Sequence, residues 1–118
     1  MTGVVLFAGG GLACQGLLEA GVELQLGVEW DAKAVKIANA VGLDHVIEGD
    51  VRDLSLMAGV RHPSLMWSSF PCQAWSTAGK RQGAKDERNG WPWTVDAIDA
   101  MQPRWFLGEN VRGLTFHR

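Results

Sequence analysis

The feature that most constrains the fold is a regular alternation between short apolar runs and longer segments with helical periodicity. Helices are predicted at residues 12–20, 32–41 and 92–101, and a shorter helix is predicted after Asp53, through Ala58. Because strands that alternate with helices form parallel sheets with crossover helices, the sequence predicts an α/β fold with a doubly wound, mostly parallel sheet. The predicted strands are residues 4–7, 24–29, 45–48, 65–68 and 104–108.

Capping residues support these helix boundaries. Asp31 and Asp53 precede two of the predicted helices, and a short acidic side chain at an N-cap accepts hydrogen bonds from N–H groups of the first turn. Gly21 and Gly42 follow the first two helices, where glycine commonly ends a helix. The least regular stretch is 69–90, which is long and polar, so we expect a functional loop there.

Special residues cluster where each predicted strand ends. The carboxyl ends of parallel strands meet at one edge of a doubly wound sheet, and ligands bind beyond that edge, near the point where the strand order reverses. We therefore expect residues that are far apart in the sequence to converge there. In order along the chain, they are Phe7 with the glycines that follow it, Glu29-Trp30-Asp31, Gly49-Asp50, Phe70-Pro71-Cys72 and Glu109-Asn110.

The first three strand ends indicate a nucleoside site. Gly9-Gly10-Gly11 permits a sharp turn and a close approach of backbone N–H groups to a ligand. Glu29 follows Gly9 by about twenty residues, the spacing typical of a carboxylate that binds ribose hydroxyls. Asp50 supplies a second acceptor, suited to an exocyclic amine, and Trp30 with Phe7 can enclose an aromatic base.

Other interpretations of these residues stay open. The glycines can form only a tight turn, and Glu29 can be a solvated or helix-capping acid. Nicotinamide dinucleotide is a competing ligand, but its G-x-G-x-x-G/A pattern needs a small residue where Cys14 stands. Nothing after the glycines indicates hydride chemistry.

Cys72 is the candidate nucleophile. It directly follows Pro71, which restricts the backbone on both sides and so gives the thiol a defined direction. The alternative is a structural cysteine, the interpretation that we favour for Cys14 inside a predicted helix. A reactive thiolate needs a nearby positive charge, for which Lys80 and Arg81 are the candidates.

Glu109 is the candidate general acid, provided that burial keeps its carboxyl group protonated. Asn110 can fix a turn through hydrogen bonds to backbone groups. The simpler interpretation of Glu109 is an ordinary acid at a strand end, paired with a cation such as Arg112.

Five blocks, in this order and with this spacing, resemble the first cofactor and catalytic blocks of cytosine-C5 DNA methyltransferases. The resemblance covers nearly the whole chain, and it implies a Rossmann-like S-adenosylmethionine-dependent methyltransferase fold. The blocks are Leu6-Phe7-Ala8-Gly9-Gly10-Gly11, Glu29-Trp30-Asp31, Gly49-Asp50-Val51, Phe70-Pro71-Cys72-Gln73 and Glu109-Asn110-Val111.

The resemblance implies a role for each residue that it matches. Cys72 would attack C6 of a flipped cytosine, Glu109 would engage N3, and Asn110 would support the Pro-Cys turn. The residues that would contact DNA are Gln73, Ser76 and Lys80. The residues that would bind S-adenosyl-L-methionine are Phe7, Gly9, Gly11, Glu29, Trp30, Asp50, Val51 and Pro71.

The later blocks of the family and its target recognition region are absent, so residues 1–118 are expected to form a partial catalytic and cofactor-binding domain, incomplete at the C-terminus. The formal net charge of −2 agrees with their absence, because a chain that binds double-stranded DNA without a partner usually has a basic surface. The alternatives are a subunit paired with a second polypeptide, a non-catalytic fragment that binds S-adenosylmethionine, and a relative that acts on tRNA cytosine. Phe70 and the 76–80 segment resemble the DNA enzymes more closely.

The two cysteines, Cys14 and Cys72, indicate a reducing compartment. Two cysteines in unrelated contexts favour neither a disulfide framework nor a metal site, so a cytoplasmic location is expected. No apolar run approaches the ~20 residues that span a bilayer, and Met1-Thr2-Gly3 lacks the basic residues of a signal peptide, so no membrane association is expected.

Overall fold

The computed structural model describes residues 1–74 and 85–116. The elements alternate along the chain as predicted. They are β1 (Thr2–Leu6), α1 (Leu12–Glu19), β2 (Glu23–Glu29), α2 (Ala32–Ala40), β3 (Val46–Glu48), a 3-10 helix (Leu54–Met57), β4 (Leu65–Ser68), α3 (Trp91–Met101), β5 (Trp105–Gly108) and a second 3-10 helix (Arg112–Phe116).

The strands form one parallel sheet in the order β3-β2-β1-β4-β5. The first strand, β1, is central. The next two strands, β2 and β3, lie on one side of it, and β4 and β5 lie on the other side. The order therefore reverses between β1 and β4, which defines the edge where a ligand site is expected. The prediction of a parallel, doubly wound sheet is confirmed.

The sheet is covered on both faces because successive strand residues point in opposite directions. Val4 and Leu6 of β1 belong to a core with Met66 and with Ala97 and Met101 of α3. Val5 points the other way. It belongs to a second core with Cys14 of α1, Val35 and Ala38 of α2, Leu43 and Val46.

Local capping follows the predictions. The Asp31 side chain accepts from the Lys33 N–H at 2.9 Å, and the Asp53 side chain accepts from the Ser55 N–H at 3.1 Å. Gly42, just after α2, adopts a left-handed conformation with φ 88°.

Several predicted element ends are one or two residues from the observed ones, and the end of β1 matters for the site, because Phe7 does not continue the strand. Its φ is 55°, a left-handed conformation that ends the strand one residue early. Such a conformation is uncommon for a bulky residue, and it turns the chain at the sheet edge toward the glycines. Gly9 and Gly11 also have positive φ values, of 56° and 94°.

The outer strand β5 leaves apolar side chains exposed. Trp105 is 62% exposed and Leu107 is 43% exposed. They alternate along the strand and lie opposite Leu65 and Trp67 of β4 in the parallel register. No helix in the described ranges is long and apolar enough to cross a membrane.

Candidate functional site

A cavity of about 750 Å³ lies at the carboxyl edge of the sheet, within the usual size range of small-molecule sites. Residues that follow every strand line it. Phe7, Glu29, Asp50, Cys72 and Glu109 are all part of its wall, so the predicted convergence of the five strand ends is observed.

Glu29 ties the glycine turn to the end of β2. Its side chain is buried, with 8% of the residue exposed. One carboxylate oxygen accepts from the Gly9 N–H at 2.7 Å, and the other accepts from the Asp31 N–H at 3.0 Å. A carboxylate has about four acceptor positions, so two remain for a ligand.

Gly9 and Gly11 differ from the other residues predicted to bind the cofactor, because neither of them lines the cavity. Gly9 contributes through its N–H bond to Glu29. Gly11 lies at the start of α1, and a Cβ atom there would collide with Leu43 and lie 3.4 Å from Ala38. Its position thus serves helix packing, and its role toward a cofactor stays a prediction.

Aromatic and apolar side chains cover another part of the wall. Trp30 lines the cavity and is 75% exposed, so its ring is available to a ligand. Phe7 is half-buried at the turn, and Val51 is buried beside Asp50. These surfaces suit the stacking of an aromatic base.

Asp50 is not a free acceptor. Its carboxylate forms an ion pair with Arg52, with Oδ2 2.6 Å from Nη2. Hydrogen bonds from the guanidinium and from the Arg52 N–H hold the pKa of Asp50 below its usual value. In the predicted contact, an exocyclic amine would have to share this carboxylate with Arg52.

The turn that carries Cys72 is held from two sides. Asn110 donates from Nδ2 to the Phe70 carbonyl oxygen at 2.8 Å, and its Oδ1 accepts from the Val111 N–H at 2.8 Å. Behind the turn, a Cβ atom on Gly90 would lie 2.8 Å from Pro71 and 2.9 Å from Phe70, so only glycine allows this close approach. The predicted role of Asn110 in fixing the turn matches these bonds.

The two cysteines differ sharply in environment. Cys72 is exposed and lines the cavity. Cys14 is buried in the α1 core, and burial raises the pKa of its thiol to about 11. Because the thiolate is the reactive form, Cys14 is inert near neutral pH and Cys72 is the candidate for chemistry.

Glu109 reaches the cavity beside β4. Its N–H donates to the Ser68 carbonyl oxygen at 3.0 Å, which anchors the end of β5 to the end of β4. Its side chain lines the cavity but is exposed. The burial expected for a general acid is thus not provided by the described residues, and the acid role of Glu109 stays a prediction.

Of the residues predicted to contact DNA, Gln73 is exposed and lines the cavity. Ser76 and Lys80 lie outside the described residues, as does Arg81.

Sequence reasoning missed several lining residues, among them Arg52, Arg88 and Trp93. The Arg88 guanidinium is held by the buried Asp86 at 2.7 Å, and hydrogen bonds from Arg88 lower the pKa of Asp86 to about 2. Both arginines follow an aspartate by two residues. This Asp-x-Arg spacing is the signal that identifies them, because the arginine N–H and side chain can both donate to the same carboxylate.

Asn110→Ala tests the support of the Cys72 turn. We expect the free energy of unfolding to fall by about 1–3 kcal/mol because the Phe70 carbonyl loses its partner. Urea unfolding measures this loss. Asn110→Asp is the matched control: it keeps an acceptor for Val111 but removes the donor to Phe70. Unchanged stability in both variants would contradict the assigned role.

The family model for "C-5 cytosine-specific DNA methylase" matches residues 1–118. The type II methyltransferase M.NaeI of Lentzea aerocolonigenes is 40% identical over 118 residues, which cover 98% of this chain and 29% of that protein. The type II methyltransferase M.Eco47II of Escherichia coli is 36% identical over 114 residues, covering 95% of this chain and 27% of that protein. The chain therefore spans less than a third of these relatives.

Solved structures show the same fold. The S. pombe Dnmt2 methyltransferase superposes with a TM-score of 0.73 over 96% of this chain and 37% of its own chain. The sequence identity is 19%, so this likeness concerns the fold alone.

Proposed function

The chain belongs to the family of C-5 cytosine-specific DNA methylases, and from that premise we propose that it supplies the methyl-donor pocket and the nucleophile for methylation of cytosine C5 in DNA. Its fold is that of Rossmann-like S-adenosylmethionine-dependent methyltransferases. The observation that carries the proposal is one cavity lined by Glu29, Cys72 and Glu109, which come from three different strand ends.

The cavity fits S-adenosylmethionine in size and in chemistry. The free acceptor positions of Glu29 suit ribose hydroxyls, and the exposed Trp30 ring with Phe7 and Val51 suits adenine. Asp50 suits the adenine amine at an acceptor position that Arg52 leaves open or releases. When bound, S-adenosylmethionine supplies an electrophilic methyl group on a sulfonium.

Cys72 and Glu109 would activate the cytosine. Cytosine C5 is a weak nucleophile, so the Cys72 thiolate adds to C6 while Glu109 donates a proton to N3. The resulting enamine has electron density at C5, the carbon that receives the methyl group. Loss of the C5 proton to a base such as a water molecule, departure of the Cys72 thiolate and return of the N3 proton to Glu109 would restore the ring and free the enzyme.

The substrate base must leave the DNA duplex to reach Cys72, at a cost of a few kcal/mol. The base would then cover Glu109, whose side chain is otherwise exposed. In this proposal Gln73 lies near the flipped nucleotide, and Ser76 and Lys80 contact the DNA backbone. From the family resemblance, the contacts that choose a target sequence are expected in the part of the relatives that this chain does not span.

Binding of the methyl donor tests the proposal. We expect the purified chain to bind S-adenosylmethionine, measured by calorimetry, and to transfer little or no tritiated methyl group to unmodified DNA. The reason is that it spans 29% of a complete relative. Absence of binding would contradict the cofactor assignment, and robust turnover by the chain alone would contradict the expected dependence on further segments. A reduced nicotinamide dinucleotide serves as the control ligand, for which no binding is expected.

A further inference from the structure

Both oxygens of the Asp50 carboxylate accept hydrogen bonds from one residue, Arg52. Oδ1 accepts from the backbone N–H of Arg52 at 2.9 Å and from its Nε at 3.0 Å. Oδ2 accepts from Nε at 3.0 Å and from Nη2 at 2.6 Å. Three N–H groups of Arg52 therefore share this carboxylate, with the Nε–H divided between both oxygens, so the guanidinium contacts both oxygens and leaves at most about one of the four acceptor positions open.

Arg52 is also held by an aromatic ring. Its Cζ atom lies 5.1 Å from the centroid of the Trp93 ring, within the range of a cation–π interaction. Arg52, Asp50 and Trp93 all line the cavity. The guanidinium therefore lies inside the candidate site, in a fixed position on the acceptor that a base would use.

We propose that Arg52 is a specificity-determining residue, which competes with the exocyclic amine of a 6-aminopurine nucleoside for the Asp50 carboxylate. This inference rests on the proposed function. A ligand with an amine replaces one donor by another, so the carboxylate stays satisfied when the guanidinium moves. A ligand with a carbonyl at that position offers no donor and gains nothing when Arg52 leaves.

The ion pair between Arg52 and Asp50 is weak enough for a ligand amine to displace the guanidinium. The side chains of Arg52 and Asp50 are 58% and 41% exposed, and ion pairs of such exposure contribute little to stability. Removing the guanidinium is therefore expected to tighten amine-dependent binding by about two- to fivefold. The backbone bond from the Arg52 N–H to Oδ1 survives the substitution and preserves the turn.

The test compares two ligands that differ only in the competing group. S-adenosylhomocysteine carries the exocyclic amine, and S-inosylhomocysteine carries a carbonyl in its place. Calorimetry gives the Kd of both for the full chain, for Arg52→Ala, and for Arg52→Lys, which keeps the charge but lacks the planar fork. Arg104→Ala is the matched control, since Arg104 is an exposed arginine that does not line the cavity.

We expect Arg52→Ala to bind S-adenosylhomocysteine about two- to fivefold more tightly, with no tightening for S-inosylhomocysteine. Arg52→Lys should give an intermediate value, and Arg104→Ala no change. Added salt screens the exposed ion pair. It should therefore lower the Kd of S-adenosylhomocysteine for the unaltered chain but not for Arg52→Ala.

Two results would overturn the competition, and a third would overturn the cofactor site on which it rests. Weaker binding of the adenine ligand by Arg52→Ala would make Arg52 a supporting residue. An equal change for both ligands would indicate a general effect on the pocket, without competition for the amine. Failure of every variant to bind either ligand would contradict the proposed cofactor site itself, and is thus distinct from a failure of the competition.

Discussion

In any reconstituted enzyme that contains this chain and captures DNA with 5-fluorocytosine covalently, Cys72→Ser is expected to abolish the capture. The thiolate is the attacking group, and a serine hydroxyl at the same place is a far weaker nucleophile. Fluorine at C5 cannot leave as a proton does, so the adduct at C6 stays trapped once a methyl group has been added. A protein–DNA complex that resists denaturing electrophoresis, formed in the presence of S-adenosylmethionine, measures the capture.

Cys14→Ala is the matched control for this experiment. Cys14 is buried, with a thiol pKa of about 11, so its loss should leave capture unchanged. Alkylation by iodoacetamide gives a second readout that does not need DNA: modification should occur at Cys72 and be lost in Cys72→Ser. Capture that persists in Cys72→Ser would assign the nucleophile to another residue.

Glu29→Ala is expected to weaken S-adenosylmethionine binding at least about tenfold and also to destabilise the fold. The N–H groups of Gly9 and Asp31 both lose their acceptor, at a cost of about 1–3 kcal/mol for each buried group that stays unpaired. Calorimetry measures the affinity, and urea unfolding measures the stability. The two losses share one cause, because the same carboxylate shapes the glycine turn and faces the cavity.

Glu29→Gln separates the two effects. An amide of the same shape keeps one acceptor oxygen, so part of the stability should return, while ribose binding should stay impaired because the charged acceptor is gone. Glu48→Ala, an exposed acid at the end of β3, is a control that should change neither quantity. Unchanged affinity in Glu29→Ala would contradict the ribose assignment.

The positions of the secondary-structure elements could be predicted because their causes are local. The β4 prediction matches Leu65–Ser68 at both ends, and the N-caps at Asp31 and Asp53 form the predicted bonds. Apolar periodicity defines which residues are buried in a strand or helix, and capping residues define where helices begin. Parallel pairing then brings the carboxyl ends of the strands to one edge, so the convergence of Glu29, Cys72 and Glu109 also followed from the sequence.

Tertiary structure alone decided how those residues are paired and exposed. The pairing of Asp50 with Arg52, the exposure of Glu109 and the packing of Gly11 against Leu43 could not be predicted from strand ends. Sequence order determined which elements form and which ends meet, because hydrogen-bonded turns and periodic burial are properties of neighbouring residues. The partners of each polar group depend on distances between side chains from separate elements, and only packing of the whole sheet defines those distances.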